Sequence, residues 1–246
     1  MSCSSRRVVL ITGVSRGLGL SLAKDCLKRG DLVLGVSRTQ KHWTPSLKAL
    51  KKKGLHLFRA DLTDEKQVKA LVKKLKVVSK RVDILINNAG YAGNLYLTHQ
   101  LSLRELEKNM TQNLYSAFLL SKHIVPILLK QDHSLVVNVS SMAGRRAVPR
   151  LFAYSASKFG VLALSECLAK EYGDQGLKAL TVCPGGMNTL MRAELFGKAD
   201  AKRQQTTQFV SQVIMDVIEE KIKVESGGSI TIRHSKITDI SPCPGA

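Results

Sequence analysis

Carboxylates are scarce in this chain. Nineteen Asp and Glu stand against 38 Lys and Arg in 246 residues, a formal charge of +19. No apolar run approaches the ~18 residues needed to cross a bilayer, so no transmembrane helix is expected. The cysteines, Cys3, Cys26, Cys167, Cys183 and Cys243, are odd in number and scattered. They match neither a disulfide framework nor a zinc-ligand spacing, and a reducing cytoplasm is the expected setting. His99, His123 and His133 show no metal-like spacing and read as surface or partly buried residues. Met1–Arg7, MSCSSRR, is too short and polar before Val8 to suit a secretory signal. Repeats, low-complexity tracts and linkers are missing too, which predicts one domain over 1–246.

Aromatic residues make up 5% of the chain, and none is interleaved with its lysines. That weakens the nucleic-acid reading that so basic a protein invites, because single-stranded bases need stacking partners. In DEKQVKALVKKLKVVSK, Lys66, Lys69, Lys73, Lys76 and Lys80 recur at three- and four-residue spacing opposite Val68, Leu71, Val72 and Leu75. This pattern is an amphipathic helix with a solvated lysine face. Attraction to acidic partners follows from it; specific nucleic-acid binding does not.

A hydrophobic content of 44% is ample for a core. Short β-branched runs predict strands at Val8–Thr12, Leu32–Val36, Leu55–Arg59, Val82–Asn87, Leu135–Val139, Lys178–Cys183 and Ser229–Arg233. Helical periodicity falls between them, at Gly17–Arg29, Asp64–Ser79, Leu103–Leu129, Ala153–Tyr172 and Thr206–Val224. Continuously apolar strands alternating with helices predict an α/β fold: a doubly wound, Rossmann-type, mostly parallel seven-stranded sheet with helices on both faces. Lys198–Gln205, KADAKRQQ, is the most polar stretch and the expected mobile part.

The first strand runs into TGVSRGLG, with Gly13, Gly17 and Gly19 just before a helix. Such glycines permit a tight turn and a close approach of backbone to a pyrophosphate, although a simple strand-to-helix turn would look alike. Farther on, FAYSASKFG places Tyr154 one helical turn before Lys158. A cation there favours the phenolate and should lower the Tyr pKa from about 10, which suits proton transfer to a substrate oxygen. A surface pair sharing a helix face is the alternative.

TGVSRGLG, NNAG at Asn87–Gly90, QNLYSAF around Asn113, VNVSS ending at Ser141, YSASK and CPGGMNT at Cys183–Thr189 follow one another in this order. Together they resemble the short-chain dehydrogenase/reductase family, from Val8 to about Thr189. The resemblance implies that Tyr154 is the general acid or base and that Lys158 lowers its pKa and bonds the nicotinamide ribose. It implies that Ser141, rather than the alternative Ser140, orients the substrate carbonyl. Asn113 is implied to hold a water linking Lys158 to solvent, the alternative being a helix-interior asparagine satisfied by backbone. Gly13, Ser15, Arg16, Gly17, Leu18 and Gly19 would form the phosphate turn. Asp61 and Leu62 would meet the adenine, and Asn87, Ala89 and Gly90 would line the groove. Pro184, Gly185, Met187 and Thr189 would surround the carboxamide end.

The resemblance further implies a nicotinamide cofactor and a homodimer or homotetramer. The second strand ends in Ser37 and Arg38, with no carboxylate to accept from a ribose 2′-hydroxyl, and Arg16 lies in the glycine turn. Two guanidiniums there favour the 2′-phosphate of NADP(H). The expected substrate is a small carbonyl or alcohol. Arg145, Arg146 and Arg150, between Ser141 and Tyr154, would suit an acidic carrier protein, or simply form a solvated loop. A cofactor-binding sensor without turnover stays open as an alternative, though sensors usually have a broken Tyr–Lys pair. The 190–228 region, expected to shape the substrate pocket, and the C-terminal IRHSKITDISPCPGA, which lacks the Asp-Gly-Gly ending of many members, are the least defined parts.

Overall fold

The computed structural model describes residues 6–39 and 43–245, so Cys3 lies outside the described residues. The elements alternate as β1 Val8–Thr12, α1 Gly17–Lys28, β2 Leu32–Ser37, α2 Pro45–Lys52, β3 His56–Arg59, α3 Glu65–Val78 and β4 Ile84–Asn87. Then come α4 Leu103–Asn109, a π turn Met110–Tyr115, α5 Ser116–Leu128, β5 Ser134–Val139, α6 Phe152–Tyr172 and β6 Leu177–Pro184. The chain closes with α7 Leu190–Phe196, α8 Lys198–Lys202, α9 Thr207–Ile218, β7 Ser229–Arg233 and β8 Lys236–Ser241.

The strands form one sheet in the order β3-β2-β1-β4-β5-β6-β7-β8, parallel up to β7. Every residue of β1 and β4 is buried, as a sheet covered on both faces requires. Two apolar clusters account for the coverage. Alternate residues of β1 divide between them: Val9 and Ile11 pack with α1, α2 and α9, and Val8 and Leu10 with α3, α5 and α6. The strand order reverses between β1 and β4, and a crevice opens at their carboxyl ends.

The structure departs from the sequence expectation in four places. An eighth strand, β8, pairs antiparallel with β7. The two-residue turn between them has His234 at φ 51° and Ser235 at φ 55°, as a tight hairpin demands. An additional helix, α2, begins on Thr44, whose hydroxyl accepts from the Leu47 amide at 3.2 Å, with Pro45 in the first turn. The expected single helix Leu103–Leu129 is one rod with a π turn in its middle, centred on Asn113. Part of KADAKRQQ, expected to be mobile, forms α8.

A buried polar ladder ties the central strands to α6. Asn87 donates to Asn138 at 2.8 Å, Asn138 to Ser165 at 2.8 Å, and Thr181 to Ser165 at 2.6 Å. Asn138 and Ser165 have no exposed surface, so each unmade bond here would carry its full desolvation cost. This ladder fixes the height of α6, and with it Tyr154 and Lys158, against the sheet.

Candidate active site

Asn88 and Thr12 hold the crevice together. The Thr12 hydroxyl accepts from the backbone amides of Asn88 and Ala89, both at 2.9 Å. The Asn88 side chain donates to the Thr12 carbonyl at 2.8 Å, so the turns after β1 and β4 are clamped. Two glycines let those turns meet. A Cβ on Gly19 would lie 2.3 Å from the Gly13 carbonyl oxygen, and Gly13 itself has φ +70°. Helix α1 then starts on Arg16 with no side-chain cap and no acid in its first turn. Its free N–H groups and positive dipole end face the crevice, which suits the diphosphate of a dinucleotide.

The crevice continues as a groove of about 630 Å³. Gly13, Ser15, Arg16, Gly17 and Leu18 line one part, and Ser37, Arg38, Asp61 and Leu62 another. Ala89 and Gly90 form the floor, Met187 and Thr189 a side, and Tyr154 and Lys158 the far end. The residues present therefore fit a dinucleotide: Gly13 and Gly17 line the groove at positive φ, where a side chain would be strained.

Some expected positions stand elsewhere. Asn87 does not line the groove. As the last strand residue it turns the other way from Asn88, into the buried bonds with Ser121 and Asn138. Pro184 and Gly185 are also off the groove lining, held in β6 and its extension against Ile232. Gly19 backs the turn without facing the groove. Ser37 lines it, but its hydroxyl accepts from the Trp43 indole at 2.7 Å. Asp61 is locked locally, accepting from the Thr63 amide and hydroxyl at 3.0 and 2.7 Å. Arg38 is exposed and donates to Gln112 at 2.8 Å across the groove.

Asn113 is fully engaged. It accepts from the Tyr91 amide at 2.7 Å and donates to the Tyr91 carbonyl and the Ser157 hydroxyl, both at 2.8 Å. The π turn aims it there, and the backbone satisfies it. A Cβ on Gly90 would sit 3.2 Å from Asn113 Oδ1 and 3.5 Å from Lys158 Nζ, so glycine keeps the space between them clear.

At the far end of the groove Lys158 is buried, and Tyr154 and Ser141 are half-buried. Lys158 is 4% exposed, and its ammonium donates to the Val139 carbonyl at 2.9 Å. Burial pulls its pKa from 10.5 to about 8. Tyr154 moves the other way. Burial raises it above 10, and a hydrogen bond with Ser141 only partly offsets the rise. The expected lowering by Lys158 is thus not met. The ammonium lies 5.9 Å from the ring centroid, and desolvation of the phenolate outweighs its attraction. Cys183, nearby, is pushed up to about 11 by burial and stays a neutral thiol at neutral pH.

Ser141 and Ser140 divide their tasks. Ser141 bonds Tyr154 and caps the short turn Met142–Gly144, accepting from the Ala143 amide at 3.1 Å. Ser140 is buried and donates to the Lys158 carbonyl at 2.8 Å, supporting α6. The sequence reading missed Asn88 and Gln112 as groove residues and named Ser140 only as the alternative to Ser141. Strand alternation past Asn87 is the available signal for Asn88, and nothing local marks Gln112.

A family model described as short chain dehydrogenase matches residues 7–200. An NADPH-dependent pterin aldehyde reductase of Arabidopsis thaliana is 29% identical, over 94% of this chain and 95% of that protein. A 3-oxoacyl-[acyl-carrier-protein] reductase, FabG, of Buchnera aphidicola subsp. Schizaphis graminum is 28% identical, over 92% and 96%. The crystal structure of a levodione reductase superposes with a TM-score of 0.86 at 27% identity, over 92% of this chain and 96% of that one.

The Lys158 environment predicts a pH signature. A folded pKa of about 8 against 10.5 means the unfolded chain binds more protons between those values, so stability rises with pH there. The burial penalty is fully present below pH 8 and fades toward pH 10.5. Lys158→Met should therefore melt higher than the parent at pH 7, with the gap shrinking by pH 10. Equal melting shifts at both pH values would contradict the burial argument.

Proposed function

The chain belongs to the short-chain dehydrogenase/reductase family, and on that premise we propose that it interconverts a ketone and a secondary alcohol with NADP(H). The observation that carries this reading is the grouping of half-buried Tyr154 and Ser141 with the buried Lys158 at the end of a glycine-cradled groove. The bound nicotinamide would supply the hydride in reduction and accept it in oxidation. Tyr154 donates a proton to the substrate oxygen. Its raised pKa keeps the phenol protonated at neutral pH, the form a reduction needs. Ser141, already bonded to Tyr154, orients the same oxygen. Lys158 places a positive charge beneath the site and favours the alkoxide-like transition state. The intact pair favours turnover over a sensing role.

Arg38 and Arg16 would bind the 2′-phosphate, because both are exposed at the rim and β2 ends without a carboxylate. The NADPH dependence of the plant relative agrees with this choice. Of the three arginines considered for a carrier, Arg145 is committed to β7 and β8, donating to Ser229, Asp239 and Ser241. Only Arg146 and Arg150 remain for one. Tyr115 and Phe118, with Phe152 and Phe159 on the neighbouring α6, leave four half-exposed aromatics where a second copy would pack.

Two variants test the reading. Tyr154→Phe should keep the fold and NADPH binding while ketone reduction, followed by cofactor absorbance, falls about 10² to 10⁴-fold. Turnover within twofold of the parent would refute the role of Tyr154. Arg38→Ala should raise the Kd for NADPH by about tenfold or more, the loss of one charge-assisted bond, and leave NADH almost unchanged. High salt should narrow the difference. Equal affinities for NADPH and NADH in the parent would contradict NADP(H) preference.

A further inference from the structure

The positive charge is concentrated on one part of the surface. Residues 45–60 carry four lysines and one arginine, and residues 66–82 six lysines and one arginine, with no carboxylate in either stretch. They form α2, the edge strand β3 and α3. Helix α3 starts beside the groove, after Asp61 and Leu62, and its 14 residues carry it about 20 Å back toward the amino ends of the strands. Helix α2, on the other face of the sheet, runs the same way, so Lys51, Lys52 and Lys53 reach the same end of the strands. There Lys73, Lys74, Lys76 and Lys80 are all exposed, and none is in an ion pair among the described residues. Val77 stands in their midst with 87% of its surface open to solvent.

We propose that this lysine-ringed corner docks the protein on a membrane surface rich in anionic lipid. Long lysine stems carry charge to a headgroup plane while an apolar side chain between them enters it. A protein partner fits less well, since protein interfaces are depleted in Lys and built on aromatic and Arg anchors. Helix α3 has no aromatic residue, which also disfavours single-stranded nucleic acid. The corner lies at the amino ends of the strands, opposite the groove, so a docked molecule keeps its groove open to solvent. The lysines and the exposed Val77 act independently of the reaction at the groove.

Co-sedimentation of the full chain with vesicles tests it. Vesicles of phosphatidylcholine with one part in three of phosphatidylserine should pull the protein down at low salt, and pure phosphatidylcholine should not. Each lysine near an anionic surface changes partitioning about fivefold, so Lys73→Gln with Lys76→Gln should weaken binding about 25-fold. Val77→Ser should weaken it further at unchanged charge. Thermal melting checks that each variant is folded. Failure to bind the anionic vesicles would overturn the proposal. So would unchanged vesicle binding in the folded double variant, or tighter capture of a single-stranded RNA than of vesicles at the same salt.

Discussion

The clamp between Thr12 and Asn88 is the contact on which the site depends. A doubly wound sheet leaves a crevice where its strand order reverses, but topology alone does not set the width of that crevice. Here the Thr12 hydroxyl takes two amides of the β4 turn, and Asn88 returns a bond to the Thr12 carbonyl. Gly13 and Gly19 are required because the two turns then touch through backbone. The free N-terminus of α1 and the floor at Ala89 and Gly90 follow from the same junction. Removing the clamp would free both walls of the groove at once.

The polar ladder through Asn87, Asn138, Ser165 and Thr181 does for α6 what the clamp does for α1. It seats a helix that holds Lys158 out of water and Tyr154 partly so. That burial works against the fold and for the chemistry, as sites of activity often do. It lowers Lys158 to about 8 and raises Tyr154, so a neutral phenol and a readily discharged ammonium share one end of the groove.

Much of this was legible in the residues. β1, β4, β5 and β6 are mostly apolar because both their faces are covered, and such runs stand out in any sequence. Spacing and resemblance single out Tyr154, Lys158 and Ser141 as the expected proton-transfer set, and the structure places them side by side. What escaped had physical reasons. β8 is largely exposed and polar, so no buried face marked KITDIS as a strand. α2 buries only Leu47 and Leu50 among lysines, too short a pattern to stand out. The π turn at Asn113 depends on its tertiary bonds to Tyr91 and Ser157. The direction of the Tyr154 shift required knowing how deeply both partners are buried, which spacing does not reveal. Asn87 was misplaced for want of following strand alternation one residue further.

The central claim is that hydride passes between a nicotinamide and a carbonyl carbon at the end of this groove, while the proton comes through Tyr154. Single-turnover reduction of a reactive ketone with NADPH deuterated at C4 in both positions measures that directly. The account predicts one deuterium on the carbinol carbon of the product and a hydroxyl proton from solvent. A carbinol carbon free of deuterium, or labelled only when the reaction is run in deuterium oxide, would contradict it.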